Sequence, residues 1–194
     1  MADLWTSQRL RYRAIEDDDE AFISTLSADA EAYLQQMPFL PIPAGTKSAK
    51  KSREWYEEQM MSAIICLPPS TSSTDPSSKP EPVGVIFLFA QQPRQAHHRN
   101  SEIGLGISRA YQGQGYGSEA IKWALDFGFR RAGLHRIGIS AFEYNSRAIR
   151  LYERLGFVHD SKQRDKYWHD GRFWDEVGLS MLEDEWRERY KREK

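Results

Sequence analysis

The sequence predicts one α/β (α+β) domain spanning residues 1–194. Three observations carry that expectation. Two short apolar runs, Ala63-Ile64-Ile65 and Val83 to Phe87, bracket a polar stretch and read as strands. A further strand, Ser101 to Ser108, runs through a glycine-rich turn into an amphipathic helix. Near the end, Asp170-Gly171 separates two more strands, the dipeptide that tight hairpins favour. The length suits one core of ordinary size, and either side of the polar stretch alone is too small for a domain.

Taken in order, Arg9 to Ala14 alternates Leu10, Tyr12 and Ala14 with arginines, the pattern of a short half-buried strand. The acidic run Glu16 to Glu20 opens a helix through Phe22, Ile23 and Leu26, because negative charge suits a helix start. Met37 to Gly45 holds three prolines and reads as a loop. Thr46 or Ser48 then caps a second helix through Trp55, Tyr56 and Gln59, followed by a strand from Ser62 to Leu67. Pro68 to Pro82 is proline, serine, threonine and charge. It offers too little apolar area to offset its ordering entropy, which predicts a disordered hairpin insertion. Strands follow at Val83 to Gln91 and Ser101 to Ser108, then a helix from Ser118 to Arg131 with Ala120, Ile121, Ala124, Leu125 and Gly128 on one stripe. A strand from Arg136 to Ala141 leads to a helix from Asn145 to Leu155, closed by Gly156. Phe157 onward is a strand, the last strand lies near Val177 to Met181, and Glu183 to Lys194 forms a charged terminal helix.

Composition excludes several function classes. Apolar residues make up 40 % and charged residues 28 %, the balance of a soluble globular protein. The net charge of −1 leaves no basic field to hold a nucleic acid. The longest apolar runs, such as Val83 to Ala90, fall far short of the roughly 20 residues that cross a bilayer, so no membrane partner is expected. The opening Met-Ala-Asp-Leu-Trp lacks the pattern of a signal peptide. Cys66 is the only cysteine, which rules out an intrachain disulfide and fits a reducing, cytoplasmic setting; it reads as an inert buried thiol.

The informative stretch is Glu102-Ile-Gly-Leu-Gly-Ile-Ser-Arg-Ala-Tyr-Gln112-Gly-Gln-Gly115-Tyr-Gly117-Ser118. Glycines at 113, 115 and 117 let the backbone turn tightly and let a phosphate approach the amides. The helix that follows adds unpaired N–H groups and a partial positive charge. Together they make an anion cradle that needs no lysine. Gly117 is followed by Ser118-Glu119 and not by Lys-Ser/Thr, so a triphosphate loop does not fit. Only Tyr116 separates Gly115 from Gly117, so the dinucleotide fingerprint does not fit either.

The spacing Gln112-x-x-Gly115-x-Gly117 instead resembles the coenzyme A pyrophosphate loop of the GNAT N-acetyltransferases. A second segment, Asn145-Ser-Arg-Ala-Ile-Arg-Leu-Tyr152-Glu-Arg-Leu-Gly-Phe157, is also similar to that family. The resemblance runs from about Arg9 to Leu182. Ser101-Glu-Ile-Gly-Leu, the Asp170-Gly171 hairpin and the aromatic-rich ending look most like its RimJ/RimL-type branch. It implies one mixed, largely antiparallel sheet with a V-shaped splay between strands four and five and helices on both faces. It also implies acetyl-coenzyme A as co-substrate and an amine acceptor: a protein N-terminus, a polyamine or another small amine.

By the same resemblance the coenzyme-binding set is Leu105, Gly106, Ile107, Gln112, Gly113, Gln114, Gly115, Tyr116, Gly117, Ser118, Asn145 and Tyr152. Asn145 starts a helix beside the pantetheine arm, and Tyr152, two turns on, faces the thioester sulfur as proton donor. Glu102 is the candidate base. Alternation puts it on the Gly104 and Gly106 face, expected to leave room for ligand atoms; the competing reading is a strand-end ion pair. No metal is indicated, since His97, His98, His135, His159 and His169 lack ligand spacing. Trp168, Phe173 and Trp174 flank the last hairpin turn, where packing, an acceptor wall or a dimer contact are open; a monomer or homodimer is expected. The alternative to catalysis is a coenzyme-binding domain that acts as sensor or scaffold.

Overall fold

Alternating apolar residues build the sheet, and a computed structural model gives its arrangement for residues 3–42, 45–68 and 80–190. The strands are β1 (Arg11–Arg13), β2 (Met61–Leu67), β3 (Glu81–Leu88), β4 (Asn100–Ile107), β5 (Arg136–Phe142), β6 (Val158–His169) and β7 (Arg172–Leu182). They lie in the order β1-β2-β3-β4-β5-β7-β6. Every neighbouring pair is antiparallel except β4 and β5. The helices are α1 (Glu20–Ala28), α2 (Ala30–Leu34), α3 (Thr46–Glu57), α4 (Tyr116–Arg130), α5 (Ser146–Leu155) and α6 (Glu183–Tyr190).

Both faces of the sheet are covered, by different helices. On one face Ile86, Leu88, Ile103 and Ile107 pack with Ala120, Ile121, Ala124 and Leu125 of α4, Leu155 of α5 and Trp186 of α6. Burying each such aliphatic side chain contributes about 1.5–3 kcal/mol. On the other face Ile64, Cys66, Val85 and Phe87 sit under Phe22, Ile23 and Leu26 of α1 and Tyr56 of α3. Cys66 is fully enclosed there, and burial pushes its thiol pKa up, as expected of an inert cysteine.

The splay between β4 and β5 is present. Their ladder joins only Asn100–Glu102 to Arg136–Gly138; beyond it β4 follows β3 and β5 follows β7. The resemblance implied this V-shaped opening, and the register supplies its physical content: two strands whose outer edges are saturated and whose inner edges part.

Several local expectations are corrected. The cap of α3 is Gly45, so Thr46 and Ser48 lie inside the helix. Helix α2 went unpredicted because it has only 5 residues; the Asp29 carboxylate, which accepts from the Ala32 N–H at 3.0 Å, starts it. Strand β7 begins at Arg172, directly after the turn, and not near Val177. The turn itself holds Asp170 at φ 48° and Gly171 at φ 81°, both left-handed, which is why this dipeptide marked it. Leu67 pairs with Glu81 and Cys66 with Pro82, so the polar stretch does close a hairpin, and Glu81 and Pro82 belong to β3 and not to a disordered insertion; the rest of that expectation, residues 69–79, lies outside the described residues, as do residues 191–194 of the terminal helix.

Candidate active site

The glycine loop forms as its sequence requires. Gly113 (φ 81°) and Gly115 (φ 86°) adopt the left-handed conformation, and Gly115 is the N-cap of α4. Gln112 donates from Nε2 to the Ile107 carbonyl at 3.0 Å and from its amide to the Arg109 carbonyl at 3.2 Å. Gln114 Nε2 donates to the Ala110 carbonyl at 3.0 Å. The side chains of Gln112 and Gln114 therefore brace the loop, and the Gln112 amide is already spent. Among the described residues no hydrogen bond takes the N–H of Gly113, Gln114, Gly115, Tyr116, Gly117 or Ser118. Six free donors converge at the positive end of a 15-residue helix.

Two arginines complete this cradle, and spacing had pointed to neither. A Cβ on Gly113 would lie 3.1 Å from Nη2 of Arg147, and one on Gly115 would lie 3.1 Å from Nη2 of Arg9. Arg147 comes from the first turn of α5 and makes no ion pair among the described residues. Arg9 is held in place: its Nε meets Glu119 Oε2 at 2.8 Å, its Nη1 donates to the Gln114 carbonyl at 3.0 Å, and its guanidinium lies over the Tyr116 ring. Burial opposes the Glu119 charge, but the Ser7 hydroxyl and the Arg9 amide and guanidinium outweigh it and hold its pKa below the ordinary value. The N-terminal segment thus latches onto the loop it helps to shape.

From the cradle a path leads into the splay. Phe89 N–H donates to the Glu102 carbonyl and Ser108 N–H to the Val83 carbonyl, so the even-numbered residues of β4 bond to β3. By alternation Leu105 and Ile107 direct their backbone groups toward β5, where no ladder takes them. Gly106 falls in a hydrogen-bonded pair with Val85, so its amide is directed away from the splay. This separates Gly106 from the Leu105 and Ile107 expected beside it.

The face of Gly104 and Gly106 is not empty. A Cβ on Gly104 would fall 1.9 Å from the Phe87 ring, and one on Gly106 would fall 2.9 Å from Oε1 of Gln36. The Phe87 ring and the Gln36 amide occupy the space that the sequence reading gave to ligand. Room for Glu102 comes instead from Gly138 across the ladder, where an added Cβ would meet Glu102 Cγ at 3.0 Å. The Glu102 carboxylate has no hydrogen bond or ion pair with any described residue, so no strand-end ion pair is seen there.

Glu102 borders a polar cavity of about 220 Å³ lined by residues of β4, β5, β6 and β7. Arg136, Ser140, Asp160, Ser161, Lys166 and Glu176 also line it. The face opposite belongs to Tyr152. Its ring is buried in the core with Phe157 and Leu155, and Ala148 of the same helix packs against that core. Burial pushes its pKa up to about 12, which keeps the phenol protonated at neutral pH. Its hydroxyl makes no hydrogen bond among the described residues and is not a fully enclosed polar atom.

Asn145 caps α5, as expected: Oδ1 accepts from the Ala148 N–H at 3.1 Å. Its Nδ2 donates to the Gln35 carbonyl at 3.0 Å, and the neighbouring Tyr144 hydroxyl donates to the Leu34 carbonyl at 2.7 Å. Both ends of the Asn145 amide are thereby used within the protein. The end of α2 is tied across the splay, a roof that no sequence signal announced. Tyr144 also stacks on His169 at 4.1 Å and meets Trp174 edge-on at 5.5 Å, linking that roof to the last hairpin. Trp174 packs there, whereas Trp168 and Phe173 pair with each other in the open.

Comparison with known proteins agrees with this geometry. A profile for the acetyltransferase (GNAT) domain matches residues 9–158. The SPbeta prophage-derived uncharacterized N-acetyltransferase YokL of Bacillus subtilis is 27 % identical over 183 residues, covering 93 % of this chain and 94 % of that protein. The spermidine N(1)-acetyltransferase of Vibrio cholerae is 30 % identical over 92 residues, 47 % of this chain and 53 % of that one. A solved structure of spermidine N-acetyltransferase from Vibrio cholerae, in complex with CoA and spermine, superposes with a TM-score of 0.73 over 93 % of this chain and 99 % of that one at 21 % identity.

Proposed function

We propose that this chain, which belongs to the GNAT acetyltransferase family, moves the acetyl group of acetyl-coenzyme A directly onto a primary amine, with Tyr152 serving the departing sulfur and Glu102 the attacking nitrogen. The observation that carries the reading is the continuity of two sets of backbone donors unused among the described residues: the six amides of residues 113–118 and the splay-facing N–H groups of Leu105 and Ile107. A pyrophosphate fits the first set, with Arg147 and Arg9 beside it, and an amide-bearing pantetheine arm fits the second. Asn145 acts through shape, by capping α5 and holding α2.

When bound, the coenzyme supplies an acyl thioester. The free N–H groups of Leu105 and Ile107 are placed to stabilise negative charge on a carbonyl oxygen. Tyr152 is neutral at working pH and can give a proton to a thiolate. Glu102, a carboxylate with no cation partner among the described residues, can take a proton from an ammonium, directly or through water, and so present a neutral amine. Holding the two reactants in one cleft supplies much of the rate.

The finer placement is in the RimJ/RimL-type branch, supported by Ser101-Glu-Ile-Gly-Leu and the aromatic hairpin, with a cytoplasmic monomer or homodimer as the working form. The single cysteine, which leaves no intrachain disulfide to form, supports the compartment. Among the described residues no helix is long and apolar enough to cross a membrane. Mass spectrometry of a primary-amine panel incubated with acetyl-coenzyme A tests the function. Acetylated amine, absent without protein, is the expected result. Coenzyme binding with no transfer to any amine would favour the sensor or scaffold instead.

A further inference from the structure

Charge in the cleft beside Glu102 is arranged in closed pairs, with one exception. Three carboxylates, Glu102, Asp160 and Glu176, and two cations, Arg136 and Lys166, line the cavity. Asp160 pairs with Arg136. Glu176 takes Lys166 at 2.7 Å, Gln163 at 2.6 Å and the Tyr167 hydroxyl at 2.7 Å, so both of its oxygens are occupied. On elements around the splay the carboxylates are also engaged, but two to each cation, so each group keeps one net negative charge. Glu143 and Asp175 share Lys162 at 3.1 and 2.8 Å, and Asp29 and Glu31 share Arg109 at 3.2 and 2.8 Å. Of the three carboxylates that line the cavity, only that of Glu102 lacks a partner among the described residues.

From this pairing we infer that the acceptor is a monocationic amine: one ammonium, met by Glu102, on a molecule whose other groups are neutral and hydrogen-bonding. The inference rests on the acetyl-transfer reading and sets the substrate class of the same site. A second ammonium would enter a region where Asp160 and Glu176 are already compensated and where Arg136 and Lys166 stand as like charges. In a half-buried site such a charge gains no net attraction and still loses hydration. A neutral hydroxyl or amide pays no such penalty and can bond to the exposed Ser140. The class therefore differs from the polyamine named in the Vibrio cholerae relative.

The test is a matched pair of acceptors, 4-amino-1-butanol and 1,4-diaminobutane, which differ in one terminal group, with spermidine as a third. The readout is kcat/KM with acetyl-coenzyme A saturating. After the twofold statistical factor for the diamine, the amino alcohol should be preferred by at least about tenfold, with spermidine no better than the diamine. Lys166→Gln frees Glu176, and Arg136→Gln frees Asp160. Each should cut the preference by raising activity on the diamine, and two variants on different strands guard against one that folds poorly. A wild-type protein that acetylates diamine or spermidine as well as the amino alcohol overturns the inference and leaves the acetyl-transfer reading intact. A preference unchanged in both folded variants also overturns it. Transfer to no amine, with acetyl-coenzyme A shown to bind, overturns the acetyl-transfer reading and the inference with it.

Discussion

The Asn145 side chain donates to the Gln35 carbonyl across 110 positions of sequence while its other end caps α5. One amide thus fixes two things, where the helix bearing Tyr152 begins and where α2 ends over the splay. Asn145→Ala removes the cap and leaves the Gln35 carbonyl without its donor. It should lower unfolding stability by about 1–2 kcal/mol in urea titrations. Asn145→Asp keeps the cap acceptor and should recover part of that loss. An alanine variant as stable as the parent would show that neither bond is needed.

Coenzyme binding should depend on the loop backbone. Gly115→Asp sets a side chain and a negative charge among the six open amides, in a left-handed conformation that costs a non-glycine residue roughly 1 kcal/mol. The fold should survive by circular dichroism, while calorimetric affinity for coenzyme A falls at least about 100-fold. Affinity equal to the parent would contradict the cradle.

Glu102→Gln should slow acetyl transfer at neutral pH and recover as pH rises, because more of the acceptor is then already neutral. The rates of parent and variant should converge above about pH 9. An equal loss at every pH would mean that Glu102 holds the acceptor without taking its proton.

Alkaline stability depends in part on buried tyrosines, three of which serve as its measure. Burial pushes Tyr56, Tyr144 and Tyr152 each up to about 12, with the charge of Tyr167 adding at Tyr144. The folded state favours their neutral form, whereas the unfolded chain ionises near the ordinary value of about 10. Their stabilising contribution is therefore complete below about pH 10 and lost as pH rises toward 12. The urea midpoint should stay level through this term up to about pH 10 and then drop, less steeply in Tyr152→Phe. A midpoint level to about pH 12 would mean that the phenols are not buried in solution.

Sequence patterns revealed the site where local chemistry determines structure. Gly113 and Gly115 had to be left-handed, Asn145 had to cap, and Asp170-Gly171 had to turn, because few other residues do these things. What stayed hidden depended on contacts distant in sequence. Arg9 reaches the loop from over a hundred residues away, and Gln36 and Phe87 fill a face whose glycines looked vacant. The pairing of Asp160 with Arg136 and of Glu176 with Lys166, which isolates Glu102, needs β5, β6 and β7 side by side. Helix α2 was missed for a different reason, being too short for periodicity to register.

The central claim is that Tyr152 gives its proton to the leaving thiolate, and single-turnover acetyl transfer by Tyr152→Phe tests it most directly. The substitution removes one hydroxyl and keeps the buried ring, so melting temperature and acetyl-coenzyme A affinity should barely change. The chemical step should slow by roughly 10²–10⁴-fold, the usual contribution of general acid catalysis. A variant that folds, binds and transfers acetyl at the parent rate, with chemistry shown to be rate-limiting, would contradict the account and leave positioning alone as the source of catalysis.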